Sequence, residues 1–430
     1  MPEFTHKDKL YIADLAEPYD IKKSLLTITN SSGDKLIIDP KNKSVAHRYG
    51  NTGESVSVDL TAPKHKDFYQ GLVKNAYDVI QEWIKDQEIV FIKAIEAEYE
   101  NLVQDFDKTL NIAIIGNVSC GKSSLINAFL MRNRNNQVAK VGVQAGVTQK
   151  IQVYRLDDKV RLIDSPGLGD IRAENSEVTR KFIENIDVGI LVVSGAADAS
   201  QKIFFDDLKR SCDSVFVVLS KIDVWDKFEG QALEDVINQW KKYLRVDRIY
   251  PVCTFGYDPQ ISGRTPLDIR GVDELREDVE LFLENRGKKL LLARHMSQKR
   301  KYALGIILSA VTAVGVQAAL PGKAVWIVAT QSTAIISLYY LYKGKRLTPT
   351  AVLALLPVFA GEAVATNVFL FFASFIPPTG VVELAAAITA MSITGAMLAS
   401  VNFVLSDGLD LDDKQALKIN WTVISSGQGY

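Results

Sequence analysis

Leu110-Asn-Ile-Ala-Ile-Ile115 runs directly into Gly116-Asn-Val-Ser-Cys-Gly-Lys-Ser123, followed by Ser124-Leu-Ile-Asn127. The first six residues form a short apolar, β-branched run, the pattern of a strand buried on both faces. The next eight fit G-x-x-x-x-G-K-[ST], and the residues after them favour a helix. A strand, a glycine loop and a helix in that order are the context in which this motif holds phosphate. Gly116 and Gly121 let the backbone wrap so that successive N–H groups of Asn117, Val118, Ser119 and Cys120 face an anion. The helix starting near Lys122 aims its positive end at the same place. Lys122 adds a full charge for the outer phosphates. The Ser123 hydroxyl suits a hard divalent cation, and Ser124 closes the loop.

Three further stretches fall where such a loop needs companions. Asp164-Ser-Pro-Gly167 ends the run Val160–Asp164. Asp164 is the expected Mg²⁺ holder, through water, and the Gly167 N–H the expected sensor of a γ-phosphate. Ser220-Lys-Ile-Asp223 ends the run Val215–Leu219 and fits [NT]-K-x-D, with Ser at the first place. A carboxylate at Asp223 accepts two N–H bonds from guanine, a donor pair that adenine lacks, so this residue selects the base. The Lys221 stem can lie along the ring. Ser220 removes an amide that ordinarily braces this loop, which predicts weaker bracing rather than lost specificity. Pro251-Val-Cys-Thr254 closes the run Ile249–Cys253, where the backbone of Cys253 and Thr254 can meet the guanine oxygen or simply end a strand. Thr148, in Gln144-Ala-Gly-Val-Thr-Gln149, precedes the strand-like run Ile151–Leu156. It is either a mobile Thr that caps Mg²⁺ or an ordinary loop residue. The predicted ligands are therefore GTP or GDP with Mg²⁺. The metal-holding residues are Ser123, Thr148 and Asp164, and Lys122, Ser119, Thr148 and Gly167 stand at the reacting phosphate.

Working outward, residues 108–290 alternate strand and helix patterns, which predicts an α/β domain with a mostly parallel sheet. Residues 66–107 read as one long helix, with Phe68, Leu72, Ala76, Ile80 and Ile84 among the apolar positions at three- and four-residue steps. It either packs on the domain that follows or acts as a stalk. Residues 1–65 read as a small β segment: Leu25–Thr29 and Lys35–Ile38 flank the turn Asn30-Ser-Ser-Gly-Asp34, and Ser55–Leu60 alternates. Nothing in that segment carries recognisable chemistry. Net charge is −1, which offers no global attraction to nucleic acid or an anionic surface, and no nucleic-acid partner is expected. Three cysteines, an odd and sparse set, argue against a disulfide framework. The first residues, acidic and without an apolar run, do not read as a secretory signal. Cys120 reads as a small packing residue, with a thiol acidified by Lys122 as the rival reading.

At these motifs the chain resembles the translation-factor-related GTPases, and within them the Era-like and dynamin-like branches. The loop Gly116 to Ser124 followed by Leu-Ile-Asn127 looks dynamin-like, and Asp164-Ser-Pro-Gly-Leu-Gly169 is similar in both. The resemblance covers about residues 66–290. It implies GTP hydrolysis, with Ser119 helping to place a compensating cation. Val118 stands where dynamin-like proteins have a water-positioning Gln, and Leu168 where Ras-like proteins have one. Hydrolysis is mostly positioning and charge stabilisation, so this departure implies slow turnover unless a homodimer or an activating partner completes the site.

Residues 291–406 differ in kind. From Ala303 to Tyr342 the only charge is Lys323, and from Leu347 to Ser406 only Glu362 and Glu383 are charged. Ala303–Leu320 and Ala324–Tyr342 flank Pro321-Gly-Lys323, and Thr350–Ile376 and Val381–Leu405 flank Pro377-Pro-Thr-Gly380. These read as two helical hairpins of near-membrane length, similar to the membrane-associated domains behind bacterial GTPases of this kind. Lys299-Arg-Lys301 and Lys343–Arg346 place the GTPase domain on the cytoplasmic side. Residues 407–430 read as a tail. The alternative is a soluble GTP-dependent switch or assembly factor with a self-packed bundle, suggested by Gln317, Gln331, Asn367, Glu362 and Glu383 inside the spans. An Era-like RNA binder would carry a basic module there instead.

Overall fold

The computed structural model describes residues 3–15, 25–39, 44–50, 52, 55–59, 63–141, 152–165, 185–228, 231–260, 265–318, 324–360 and 383–425. The chain divides into two compact units, one of Val103–Lys299 and one of Met1–Leu102 with Arg300–Tyr430.

The unit of Met1–Leu102 with Arg300–Tyr430 opens with strands β1 (Glu3–His6), β2 (Lys9–Leu15), β3 (Leu26–Asn30), β4 (Lys35–Asp39), β5 (Ser44–Arg48) and β6 (Ser55–Asp59). They pair antiparallel in sequence order, β1 to β6. Alternation puts Phe4, Tyr11, Ala13, Leu26, Ile28, Leu36, Ile38 and Val45 into the core. The β3–β4 turn is built by Asn30, whose Oδ1 accepts from the backbone N–H groups of Ser32 and Asp34. The sequence reading finds β3, β4 and β6 but not β1, β2 or β5. These carry less regular alternation, and cross-strand pairing decides them. Helix α1 (Pro63–Asp107) is 45 residues long and runs from this unit into the other. It buries Leu72, Ala76 and Ile80, one face at four-residue steps.

The unit Val103–Lys299 is built on β7 (Leu110–Ile115), α2 (Lys122–Phe129), β8 (Gln152–Arg155), β9 (Val160–Ser165), β10 (Ile186–Val193), α3 (Ala199–Ser211), β11 (Cys212–Leu219), α4 (Gln231–Leu244), β12 (Tyr250–Pro251), β13 (Cys253–Phe255), β14 (Asp268–Arg270), α5 (Val272–Glu284) and α6 (Lys289–Ala293). The sheet order is β12-β11-β10-β7-β9-β8, parallel except for the edge strand β8, which runs antiparallel to β9. Every residue of β7 and β10 is buried, as central strands between helical layers require. One correction concerns Ile249–Cys253, which the sequence suggests is a single strand. Pro251 is tolerated in this edge strand because no ladder bond needs its N–H, and the pairing with β11 ends where the Val252 N–H donates to the Leu219 carbonyl at 2.8 Å. Cys253–Phe255 then leaves the sheet and pairs antiparallel with Asp268–Arg270.

The C-terminal helices are α7 (Lys299–Ala318), α8 (Ala324–Lys343), α9 (Pro349–Leu355), a 3₁₀ turn Leu356–Ala360, α10 (Glu383–Ser406) and α11 (Lys414–Ser425). Polar side chains join them: Gln317 bonds Thr330, Gln331 Nε2 donates to Thr394 Oγ1 at 2.7 Å, and Tyr342 OH donates to Asn402. Among the described residues one helix, Val325–Lys343, is long and apolar enough to cross a membrane, and 67% of its apolar window is buried in the protein. Two expectations change here. The helix expected from Thr350 stops at Leu355 as the chain tightens towards Pro357, and the expected tail holds α11, whose Leu417 is buried. Part of the expected second hairpin, residues 361–382, lies outside the described residues.

Candidate functional site

The glycine loop sits between the C-terminal end of β7 and α2, against the end of β10. A Cβ at Gly116 would lie 2.1 Å from the Val192 carbonyl oxygen, so only glycine fits beneath the loop. Gly121 has φ 96°, in the left-handed region, and turns the chain into α2. Lys122 is 4% exposed, and its Nζ donates to the carbonyls of Gly116 at 2.9 Å and Asn117 at 3.0 Å. The ammonium is thus folded back over the loop. Val118 and Ser119 are exposed, and Asn117, Gly121, Ser123 and Ser124 are half-buried. Cys120 is buried, and burial pushes its thiol up to about 11 despite the charge of Lys122. Burial thus supports the packing reading of Cys120 over the acidified thiol.

Asp164 brings the end of β9 to the same place. The Ser123 hydroxyl donates to Asp164 Oδ2 at 2.7 Å, and Lys122 Nζ lies 3.8 Å from Oδ1. Asp164 is fully buried, its Oδ1 has no hydrogen-bond partner among the described residues, and burial raises its pKa. A hydroxyl and a carboxylate with an unused buried oxygen form the hard oxygen set that Mg²⁺ takes, so these residues fit the ion. Thr148 and Gly167, the two other residues assigned to the phosphate end, lie outside the described residues, as does Leu168.

The turn bearing Asp223 is tied to the phosphate loop through Ser220. Its hydroxyl lies 2.5 Å from the Cys120 carbonyl and 3.0 Å from that of Val193, and its N–H donates to Val193 at 2.8 Å. The Ser hydroxyl therefore braces the phosphate loop directly, where the sequence suggests a loss of bracing. Lys221, with φ 60°, turns the chain into the 3₁₀ helix Ile222–Lys227 that carries Asp223. The Ile222 N–H donates to Val252, holding this turn against the strand leading to Cys253 and Thr254.

Sequence reasoning missed what surrounds Asp223. The Cys253 thiol lies 3.6 Å from Asp223 Oδ1 and 3.4 Å from Asp268 Oδ2, and burial pushes it up to about 11, so it stays a neutral donor. Arg270 holds both Asp226 oxygens, at 3.0 and 2.7 Å, and also bonds Asp268. Asp226 shares the 3₁₀ turn with Asp223, so Arg270 clips that turn to the β13–β14 hairpin. The only signal in sequence is the spacing Asp268-x-Arg270, which shares a face once the stretch is known to be a strand.

A loop of this shape, with a buried lysine above it, Ser123 and Asp164 beside it and the Ser220-Lys-Ile-Asp223 turn after β11, defines a P-loop nucleotide-binding protein of the GTPase class. Residues 111–244 match the family described as 50S ribosome-binding GTPase. The chain is 31% identical over 187 residues to the GTP-binding protein EngB of Desulfitobacterium hafniense, covering 40% of this chain and 84% of that one. It is 27% identical over 189 residues to GTPase Der of a Nitratiruptor species, covering 38% and 40% respectively. With tRNA modification GTPase MnmE of a Thermoanaerobacter species it shares 28% over 306 residues, 65% of this chain and 64% of that protein. The chain thus spans less than two thirds of Der and of MnmE. It belongs to this family of P-loop GTPases.

Proposed function

We propose that the chain hydrolyses GTP to GDP and phosphate, and that its nucleotide state is passed to membrane-associated C-terminal helices in the manner of dynamin-like or Era-like GTPases. The observation that carries the nucleotide part is the meeting of Lys122, Ser123 and Asp164 at one point, joined through Ser220 to the turn bearing Asp223. The backbone of Gly116 to Ser124 and the Lys122 ammonium bind and orient the phosphates. Ser123 and Asp164, with Thr148, would hold Mg²⁺, which supplies charge neutralisation between the outer phosphates. Asp223 selects guanine, and Gly167 answers to the γ-phosphate. Val118 and Leu168 cannot orient water, so turnover by the chain alone is slow, and a second copy or a protein partner raises it.

The membrane part rests on α7. Leu304, Leu308 and Val316 share one face of it and are 55%, 56% and 63% exposed, and no charge falls between Lys301 and Lys323. Lys299, Arg300 and Lys301 flank its start, and exposed Trp326 begins the next helix, the pairing of a basic flank and an aromatic that suits a bilayer boundary. The basic flank supports a cytoplasmic side for the GTPase unit. The burial of Val325–Lys343 favours the second reading, a soluble bundle in an assembly factor. Nucleotide binding and hydrolysis by the full chain, measured with and without vesicles across protein concentration, test both parts. Loss of GTP binding in Lys122→Ala supports the first part, and unchanged binding in that variant refutes it. A rate indifferent to vesicles in a protein that stays in the supernatant leaves the soluble reading.

A further inference from the structure

The two ends of strand β9 meet different neighbours. Asp164 lies at its C-terminal end, bonded to Ser123. At its N-terminal end is the β8–β9 hairpin turn, Leu156 to Lys159. In sequence this hairpin is the segment between Thr148 and Gly167, the residues assigned to sense the γ-phosphate.

The turn is shaped by Asp157, whose Oδ1 accepts from the N–H groups of Lys159 and Val160, both at 2.7 Å. Its other oxygen, Oδ2, faces outward and takes Arg294 at 2.7 Å and His295 Nε2 at 2.8 Å. All three side chains are mostly buried, with 13% to 19% of their surface exposed. Lys159 reaches the opposite way. Its Nζ donates to the Phe106 carbonyl at 2.5 Å and to Asp107 at 3.0 Å, and its carbonyl accepts from the Leu110 N–H at 2.8 Å. Phe106 and Asp107 are the last residues of α1, and Arg294 and His295 shortly precede α7. The chain enters this unit at Val103 and leaves it at Lys299. One hairpin turn therefore grips both crossings, each through a different side chain.

The end of α1 has a second fixed point. Lys108 donates to Asp105 and to the Arg286 carbonyl, at 2.6 and 2.7 Å, which ties this corner to the turn after α5. A shift of the hairpin then loads the Lys159 contacts against an anchored corner. The hairpin lies at one edge of the sheet, where β8 pairs with β9 alone.

We propose that the β8–β9 turn is the output of the nucleotide site, a two-armed clasp in which Lys159 reports to the end of α1 and Asp157 to the segment entering α7. Lys159 and Asp157 are positioning residues; neither touches nucleotide. The inference rests on the GTP-switch reading above and deepens it by naming the regulated contacts.

The test is backbone hydrogen exchange of the full chain with Mg²⁺, loaded with GDP or with a non-hydrolysable GTP analogue, while nucleotide binding is followed separately by a fluorescent guanine nucleotide. Exchange at residues 103–109 and 293–299 is expected to differ between the two nucleotides by about tenfold at the most responsive amides. Lys159→Ala erases that difference at 103–109 and keeps it at 293–299. Asp157→Asn, which retains the Oδ1 acceptor that shapes the turn, erases it at 293–299 and keeps it at 103–109. Lys159→Arg retains both. A chain that binds both nucleotides and exchanges equally in both states overturns the clasp and leaves the GTP-switch reading intact. A response that survives unchanged in both Lys159→Ala and Asp157→Asn overturns it as well. A chain that binds neither nucleotide overturns the clasp together with the reading beneath it.

Discussion

Ser220 and Asp223 lie three positions apart on one turn and do different things. On the proposed reading Asp223 offers its carboxylate to the two N–H groups of guanine, and its exchange for an amide breaks that match. A charge-assisted bond is worth about 1.5–3 kcal/mol, so Asp223→Asn lowers GTP affinity by roughly tenfold or more and improves the fit to xanthosine triphosphate. Competition binding with the two nucleotides measures this, and intact GTP affinity in the variant refutes the base-reading role. Ser220 acts through the loop instead. Its hydroxyl has a single hydrogen to offer the Cys120 and Val193 carbonyls, and the 2.5 Å contact to Cys120 is the shorter. Ser220→Ala leaves that buried carbonyl without its donor, at about 1 kcal/mol, and so weakens GTP and GDP alike by several-fold. A change confined to GTP, measured against GDP in the same titration, is the result that removes Ser220 from the bracing role.

At the scale of elements, the site depends on how α2 is stopped. Arg276 on α5 is 3% exposed; its Nε donates to the Phe129 carbonyl at 2.8 Å and its Nη2 to that of Ala128 at 2.9 Å. These are C-terminal carbonyls of the helix whose N-terminus faces the phosphates, groups with no partner inside the helix. The Met131 N–H also reaches the Ala128 carbonyl, at 3.0 Å, so Arg276→Ala strips its donor from the Phe129 carbonyl above all and costs about 1–3 kcal/mol, read as a shift in denaturant midpoint. Arg276→Lys recovers only part of it, since an ammonium lacks the planar fork that serves both carbonyls. This cap could not be read from sequence, because nothing local links residue 276 to residue 129. The elements at the phosphate end were legible, since strand, loop and helix follow one another within Leu110–Phe129 and local chemistry sets each boundary. At the base end legibility failed after Pro251. The partner of Cys253–Phe255 lies beyond residue 260, and pairing at that distance is a tertiary matter.

For the whole molecule, the proposed membrane association is carried by the charge-poor C-terminal region. With Leu304, Leu308 and Val316 exposed along α7, the full chain is expected to sediment with phospholipid vesicles, to stay bound in high salt and to come off in detergent. A full chain that remains in the supernatant without detergent supports the self-packed bundle instead. On the proposed reading, in which Val118 and Leu168 do not orient water, turnover is expected to rise with protein concentration. Hydrolysis that is fast and independent of concentration contradicts that expectation. The sequence by itself determined the nucleotide class, the phosphate loop and the long helix, because each is set by contiguous residues whose spacing carries the chemistry. Only the tertiary structure decided that Ser220 braces the phosphate loop, that Cys120 is buried, that Asp268 and Arg270 flank the turn bearing Asp223, and that one hairpin turn holds both ends of the unit. Each of these depends on residues 15 to 138 positions apart, brought together by the sheet and its flanking hairpin rather than by any local pattern.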